Sequence, residues 1–149
     1  MAATVTSGVY PVFKNVFKFG KSGTSSAAPD MVTVADLTTF SVAISGNVEE
    51  WTPMTTEGWT RRLMTGKNIT ISFSGKRNIS DAGNDYIAGL IGKTGADAST
   101  KFEWTFPDGT VLSMNVVINI TALGGNSTNV DVLEFNAMSD GAPTITAAA

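Results

Sequence analysis

Several stretches of the chain alternate apolar and polar residues with period two, the pattern of strands that bury one face. Phe40, Val42 and Ile44 alternate with Thr39, Ser41 and Ala43, and Ile69, Ile71 and Phe73 with Thr70, Ser72 and Ser74. Leu112, Met114, Val116, Ile118 and Ile120 are interleaved with Ser113, Asn115, Val117 and Asn119. Leu133, Phe135 and Ala137 alternate with Glu134 and Asn136. In each stretch an apolar set packs one way and a set rich in Ser, Thr and Asn faces the other.

The punctuation between these stretches agrees with strands. Pro107-Asp108-Gly109 separates Phe102–Phe106 from the stretch that starts at Thr110, and predicts a tight hairpin. Leu123–Asn129, rich in Gly, Asn and Ser, predicts a longer hairpin loop, and Ser139–Pro143 ends the last long strand. One segment has a different period. Ala82, Tyr86, Ile87, Leu90 and Ile91 have helical spacing, with Ser80 or Asp81 as N-cap, Asp85 near the first turn, and Lys93 with Gly92 or Gly95 at the end. The expected fold is therefore mainly β, a sandwich or open barrel with one short flanking helix at about 81–93.

Two segments lack a period. Gly20–Asp30, rich in Gly, Ser and Ala, reads as a flexible loop. Residues 46–66 read as a long loop carrying Glu49, Glu50, Trp51, Met54, Trp59, Arg61 and Arg62. Loops longer than about 12–15 residues are usually functional or disordered. Each exposed aromatic leaves roughly 150–250 Å² to be covered by this domain or a neighbour. The tails, about 1–8 and 142–149, have no reason to be ordered alone and are expected to be arms held by a partner subunit.

Composition narrows the chemistry. The 149 residues suit a single domain, spanning 1–149, and only 15% are charged, weak evidence for surface buried in contacts. A net charge of -3 argues against a protein that grips nucleic acid by its phosphates. No Cys or His is present, which removes disulfides, the usual zinc ligands, thiol chemistry and histidine acid–base catalysis. Met1–Gly8 has no basic stretch followed by an apolar run, so a cytoplasmic product without membrane insertion is expected, and the Asn-X-Ser/Thr matches at Asn68, Asn78, Asn119 and Asn126 read as chance.

The remaining candidate sites have plain structural readings. Asp81, Asn84 and Asp85 lack EF-hand spacing and suit a helix N-terminus. Gly124-Gly125-Asn126 has no following Lys and no helix, as a phosphate cradle would need. Trp104 and the Phe residues read as core. Adjacent Glu49 and Glu50 point to opposite faces of a strand, so they do not form a catalytic pair. Arg61 and Arg62 with these carboxylates read equally as a solvated loop or as an ionic contact between subunits. No enzyme activity, cofactor or metal is expected.

The ordered blocks Val48–Met54, Gly58–Arg62, Thr65-Gly66-Lys67, Ser74–Arg77, Gly83–Tyr86, Phe102–Gly109, Ser127-Thr128, Val132–Phe135 and Ser139–Pro143 resemble the major tail tube proteins of long non-contractile-tailed bacteriophages, or a related tail-like bacteriocin or gene-transfer particle. The resemblance implies a structural virion protein of the siphovirus type that forms hexameric rings stacked into a tube for genome delivery. It implies tape-measure, tail terminator and baseplate proteins as partners, double-stranded DNA in transit, and assembly in a host cytoplasm. Each subunit would give four strands to a shared barrel of 24, which strands about 4.8 Å apart and tilted about 40° make roughly 45–50 Å across. Residues 46–66 would then reach an adjacent ring or subunit. Two other readings compete: a carbohydrate-binding β-sandwich with Trp51 and Trp59 as a sugar platform, and a hydrolase, for which no nucleophile–base pair is evident.

Overall fold

Each alternating stretch forms a strand, and its apolar set, Ile44 apart, packs into or against one shared core. The computed structural model describes residues 8–148. In chain order the elements are β1 (Val16–Gly20), β2 (Met31–Thr33), β3 (Leu37–Trp51), β4 (Arg61–Lys76), α1 (Ala82–Ala88), β5 (Ser99–Thr105), β6 (Val111–Gly124), β7 (Val132–Ser139) and β8 (Thr144–Thr146). All pairings are antiparallel, in the order β2-β1-β5-β6-β7-β4-β3, with β8 added to the start of β6.

This single sheet curls on itself, so the expected sandwich or open barrel takes the open-barrel form. Phe17 on β1 meets Phe40 on β3 at 4.7 Å and Phe73 on β4 at 4.9 Å between ring centroids, although several strands separate them in the sheet order. Phe19, Phe73, Phe102 and Phe135 form the buried centre, with Ile71, Val116 and Leu133 around them. Trp104 lies at the rim of this cluster and donates its indole N–H to Asn15 Oδ1. Phe13 departs from the expected core role, being 78% exposed beside the seam where β1 and β3 face each other unpaired. A cleft of about 490 Å³ marks this seam, lined by Val12, Phe13, Phe17, Leu37 and Phe40 among others.

The turns form as their residues require. Gly109 takes φ 93°, and the Thr110 N–H donates to Asp108 Oδ1 at 2.9 Å. That bond, with the Thr110 hydroxyl, holds the Asp108 carboxyl below its ordinary pKa. Its stabilisation is complete above the unfolded-state pKa and is lost as pH falls through the lowered folded value. Residues 20–30 contain two 3₁₀ turns, Gly23–Ser25 and Ala28–Asp30, joined by the Lys21 N–H to the Asp30 carbonyl.

The helix is shorter than the spacing predicts. It ends at Ala88, with Gly89 as C-cap, and continues only as turns to Lys93, so Ile91 is exposed and Ala82 also faces out. Its buried residues are Gly83, Asn84 and Ile87. A Cβ on Gly83 would sit 2.0 Å from the Thr33 carbonyl oxygen, so glycine alone lets the helix lie against β2. Asp81 caps the helix and also accepts from the Ala35 N–H. Fully buried Asn84 accepts from Arg77 Nη1 and the Asn78 N–H, and donates to the carbonyls of Ala35 and Lys76.

Four hydrogen bonds on one buried amide make this corner sensitive. Asn84→Ala is expected to cost about 3 kcal/mol by leaving these partners unsatisfied, or roughly 6–12 °C in Tm. Thermal and urea unfolding of the variant would measure it, and a loss below 1 kcal/mol would mean that water replaces the amide.

Candidate assembly surface

The stretch 46–66, expected as a loop, is mostly strand, and only residues 52–60 are irregular. β3 and β4 run 15 and 16 residues and pair from Leu37↔Gly75 out to Trp51↔Arg61, so their outer halves form a hairpin arm. Period two fails as a signal there because residues 43–51 and 61–68 are exposed on both faces. A bulge between Asn47 and Val48 gives β4 one extra residue, Thr65, which is tied to Asn47 by two hydrogen bonds.

Strand register separates the arm's two faces. Directly opposed residues share a face, so Ile44/Ile69, Val48/Met64 and Glu50/Arg62 continue the core face of Phe40/Phe73 outward. Ser45/Asn68, Glu49/Leu63 and Trp51/Arg61 lie on the other face. Glu49 and Glu50 thus point apart, as expected. Glu50 Oε1 accepts from Arg62 Nε at 2.7 Å, and the Arg61 guanidinium lies 5.7 Å from the Trp51 ring centroid. At 62% and 55% side-chain exposure the Arg62–Glu50 ion pair adds at most about 1 kcal/mol.

The tip holds its own shape. Pro53 leads into the 3₁₀ turn Met54–Thr56, and the Thr56 hydroxyl is within 3.0 Å of the Pro53 carbonyl and 2.7 Å of the Trp59 carbonyl. Glu57 and Gly58 take positive φ, 52° and 93°, to turn the chain back. Met54 and Trp59 project from this turn, 98% and 80% exposed. The tip is thus organised and carries two uncovered apolar side chains. Of the two tryptophans read as a sugar platform, Trp51 has the Arg61 guanidinium beside its ring on one arm face, and Trp59 stands at the tip.

A second surface lies on the polar side of the sheet. The row Ser41–Ser72–Asn136–Asn119 crosses β3, β4, β7 and β6 on the face opposite the core, next to Ser74, whose hydroxyl donates to Glu134 Oε1. Sequence alternation made these residues legible as a set but did not show that they share one sheet. Among the described residues no cluster of metal-ligating side chains occurs, and no helix is long and apolar enough to cross a membrane.

This curled sheet, with a flanking helix and a projecting hairpin, has the fold of tail components of phage-like particles. The likeness covers 93% of this chain and 100% of a chain in the tail of an empty gene transfer agent particle, obtained by helical refinement with C6 symmetry, at TM-score 0.73 and 19% identity. A chain in the virion of a native gene transfer agent particle matches over the same shares at TM-score 0.70 and 18% identity. At such identity the likeness is one of fold. No protein-family model matches the sequence, and no curated protein matches it.

Exposed arm residues contribute little to the folded monomer. Met54→Ala and Trp59→Ala are expected to change the free energy of unfolding by no more than about 0.5 kcal/mol. A urea titration of each variant checks this, and a larger loss would mean that the tip packs on its own domain.

Proposed function

We infer that this chain is a structural subunit of a tail tube, and that copies form hexameric rings stacked into a channel for genome delivery. The observation that carries the reading is the match over the whole of a tail chain taken from an assembly with C6 symmetry. The ordered sequence blocks support it independently. The polar row Ser41–Ser72–Asn136–Asn119 suits a lumen wall, because a wall of uncharged hydroxyls and amides neither repels nor holds a passing DNA duplex. The whole chain serves as one tail tube domain, located in the virion tail and assembled in the host cytoplasm. Its other partners are the tape-measure, terminator and baseplate proteins that such a tube needs at its centre and ends. The role is structural, without catalysis.

The arm supplies the contact between rings or subunits in this reading. Glu49, Glu50, Trp51, Met54, Trp59, Arg61 and Arg62 lie on it or at its tip, clear of the core. The terminal arms add bridges between rings. The stretch 1–7 lies outside the described residues, whereas Thr144–Thr146, within the C-terminal stretch, pair with β6 of the same chain.

Negative-stain microscopy of the purified protein tests the reading. Rings or tubes with a central channel are expected, and a strictly monomeric protein that binds glycans through Trp59 would overturn it. Trp59→Ala, or Arg61→Glu with Arg62→Glu, is expected to shorten or abolish tubes while circular dichroism stays unchanged. Normal polymerisation of both variants would remove the arm from the contact.

A further inference from the structure

Edge accounting leaves two long stretches of backbone without a partner strand. Among the described residues, β3 has no strand along its outer side from Leu37 to Trp51. β5 accompanies β6 only as far as Val117, so Ile118–Gly124 is paired on the β7 side alone. Soluble proteins blunt such edges with Lys, Pro or inward charges. Neither stretch contains Lys, Arg or Pro, and the only charges are Glu49 and Glu50 near the far end of β3.

The two open edges lie on opposite sides of one block, β6-β7-β4-β3, in which direction alternates at every step. An even number of alternating strands means that a copy rotated about a common axis brings its β6 antiparallel to β3. An odd number would have forced a parallel junction. The cleft lined by Leu37 and Phe40, with exposed Val12 and Phe13 on its other wall, borders the same β3 edge and extends the surface that a neighbour would cover.

We propose that β3 of one copy pairs antiparallel with residues 118–124 of the next copy's β6, and that Asn119 lies opposite Ser45, with Asn47 the other register that geometry permits. This rests on the ring reading above. Within a copy, Asn119 shares a row with Ser41. The junction can displace that row along β3 only by an even number of residues, because an odd shift would turn the apolar face into the lumen. With about 3.3 Å per residue along a strand and about 4.8 Å between strands, shifts of two, four, six and eight residues per four strands give tilts of roughly 19°, 35°, 46° and 54°. Closed barrels tilt by about 35–45°, which selects four or six. A shift in the opposite direction carries most of 118–124 past Leu37, where β3 begins.

The bulge favours the shift of four. Beyond Val117 the neighbour's β6 already has β5 at its side, so β3 must leave the junction there. A shift of four sets Val117 opposite Asn47, next to the bulge between Asn47 and Val48, a feature that twists a strand pair locally. The bulge therefore coincides with the end of the open edge that β3 would leave.

The natural absence of cysteine makes disulfide mapping direct. Ser45 and Asn119 are both exposed on the polar face, so their substitution does not disturb the core. In assembled rings of Ser45→Cys/Asn119→Cys, mild oxidation is expected to give a ladder of covalent oligomers up to the closed ring on a non-reducing gel. Asn47→Cys/Asn119→Cys gives that ladder if the shift is six. Thr33→Cys/Asn119→Cys, with the first thiol on β2, is expected to give none. If a double variant does not assemble, mixing the two single variants, Ser45→Cys and Asn119→Cys, should give covalent dimers of unlike chains only. Rings seen by microscopy in which neither β3 pair crosslinks, or in which the Thr33 pair does, would overturn the junction and leave the ring reading standing. Wild-type protein that forms no rings would overturn both.

Discussion

A sheet that curls without closing must do something with its last edge. Interior strands satisfy N–H and C=O groups on both sides, while β3 satisfies them on one side for fifteen residues. In a monomer this backbone is left to water, a template for any free strand. The rest of the structure follows from how that edge is shaped and placed. The core sets the curl, the helix sets where β3 begins, and the hairpin leaves the sheet beyond Ala43 and Thr70, where β7 no longer accompanies β4.

The curl comes from aromatic packing. Phe17 and Phe19 on β1 reach across to Phe73, and Phe17 also to Phe40, so the two ends of the sheet are drawn together without being hydrogen-bonded. Closure fails because β2 is only three residues long and the chain turns sharply at Asp36, with φ 63°, before entering β3. That corner is fixed from below. Asp81 and Asn84 at the start of α1 bond Ala35, Asn78 Nδ2 bonds Asp36 Oδ2, and the Asp36 carbonyl receives the Lys76 N–H. A Cβ on Gly75 would sit 2.3 Å from the Asp36 carbonyl oxygen, so glycine there admits the turn. The polar network of a short helix thus acts on the position of an edge strand that α1 does not extend beside.

What the sequence revealed depended on burial. Strands with one dry face, such as Leu112–Ile120 and Leu133–Ala137, were legible because half their residues had to be apolar. Pro107-Asp108-Gly109 was legible because its conformation admits few residue types. The arm was not, since neither face is buried and nothing enforces alternation; its Trp and Met marked it as important but not as strand. Asn84 was legible only as part of a helix N-terminus and Gly83 only as part of a sequence block, because helical spacing scores apolar side chains, whereas the helix is seated by a missing Cβ and a buried amide. The candidate contact residues are neighbours along the chain, yet only strand register separates Glu50 and Arg62 on one face from Trp51 and Arg61 on the other.

Folding and assembly draw on different residues, and the magnitudes show why this matters. The core cluster stabilises the monomer, while Met54 and Trp59 stand almost wholly in water. Covering both would contribute about 5 kcal/mol per copy at ~25 cal/mol per Å². Association costs an estimated 4–15 kcal/mol in lost translational and rotational freedom, so a single tip barely offsets the loss on its own. In the six-fold arrangement proposed for this chain, a ring presents its tips together and that loss is incurred once, so the summed contact reaches roughly 30 kcal/mol. A low charge content, 15% of residues, leaves little repulsion to overcome at such a contact. In that arrangement, weak contacts per chain and strong contacts per ring would let free subunits stay apart until a ring forms, and then let the stack hold.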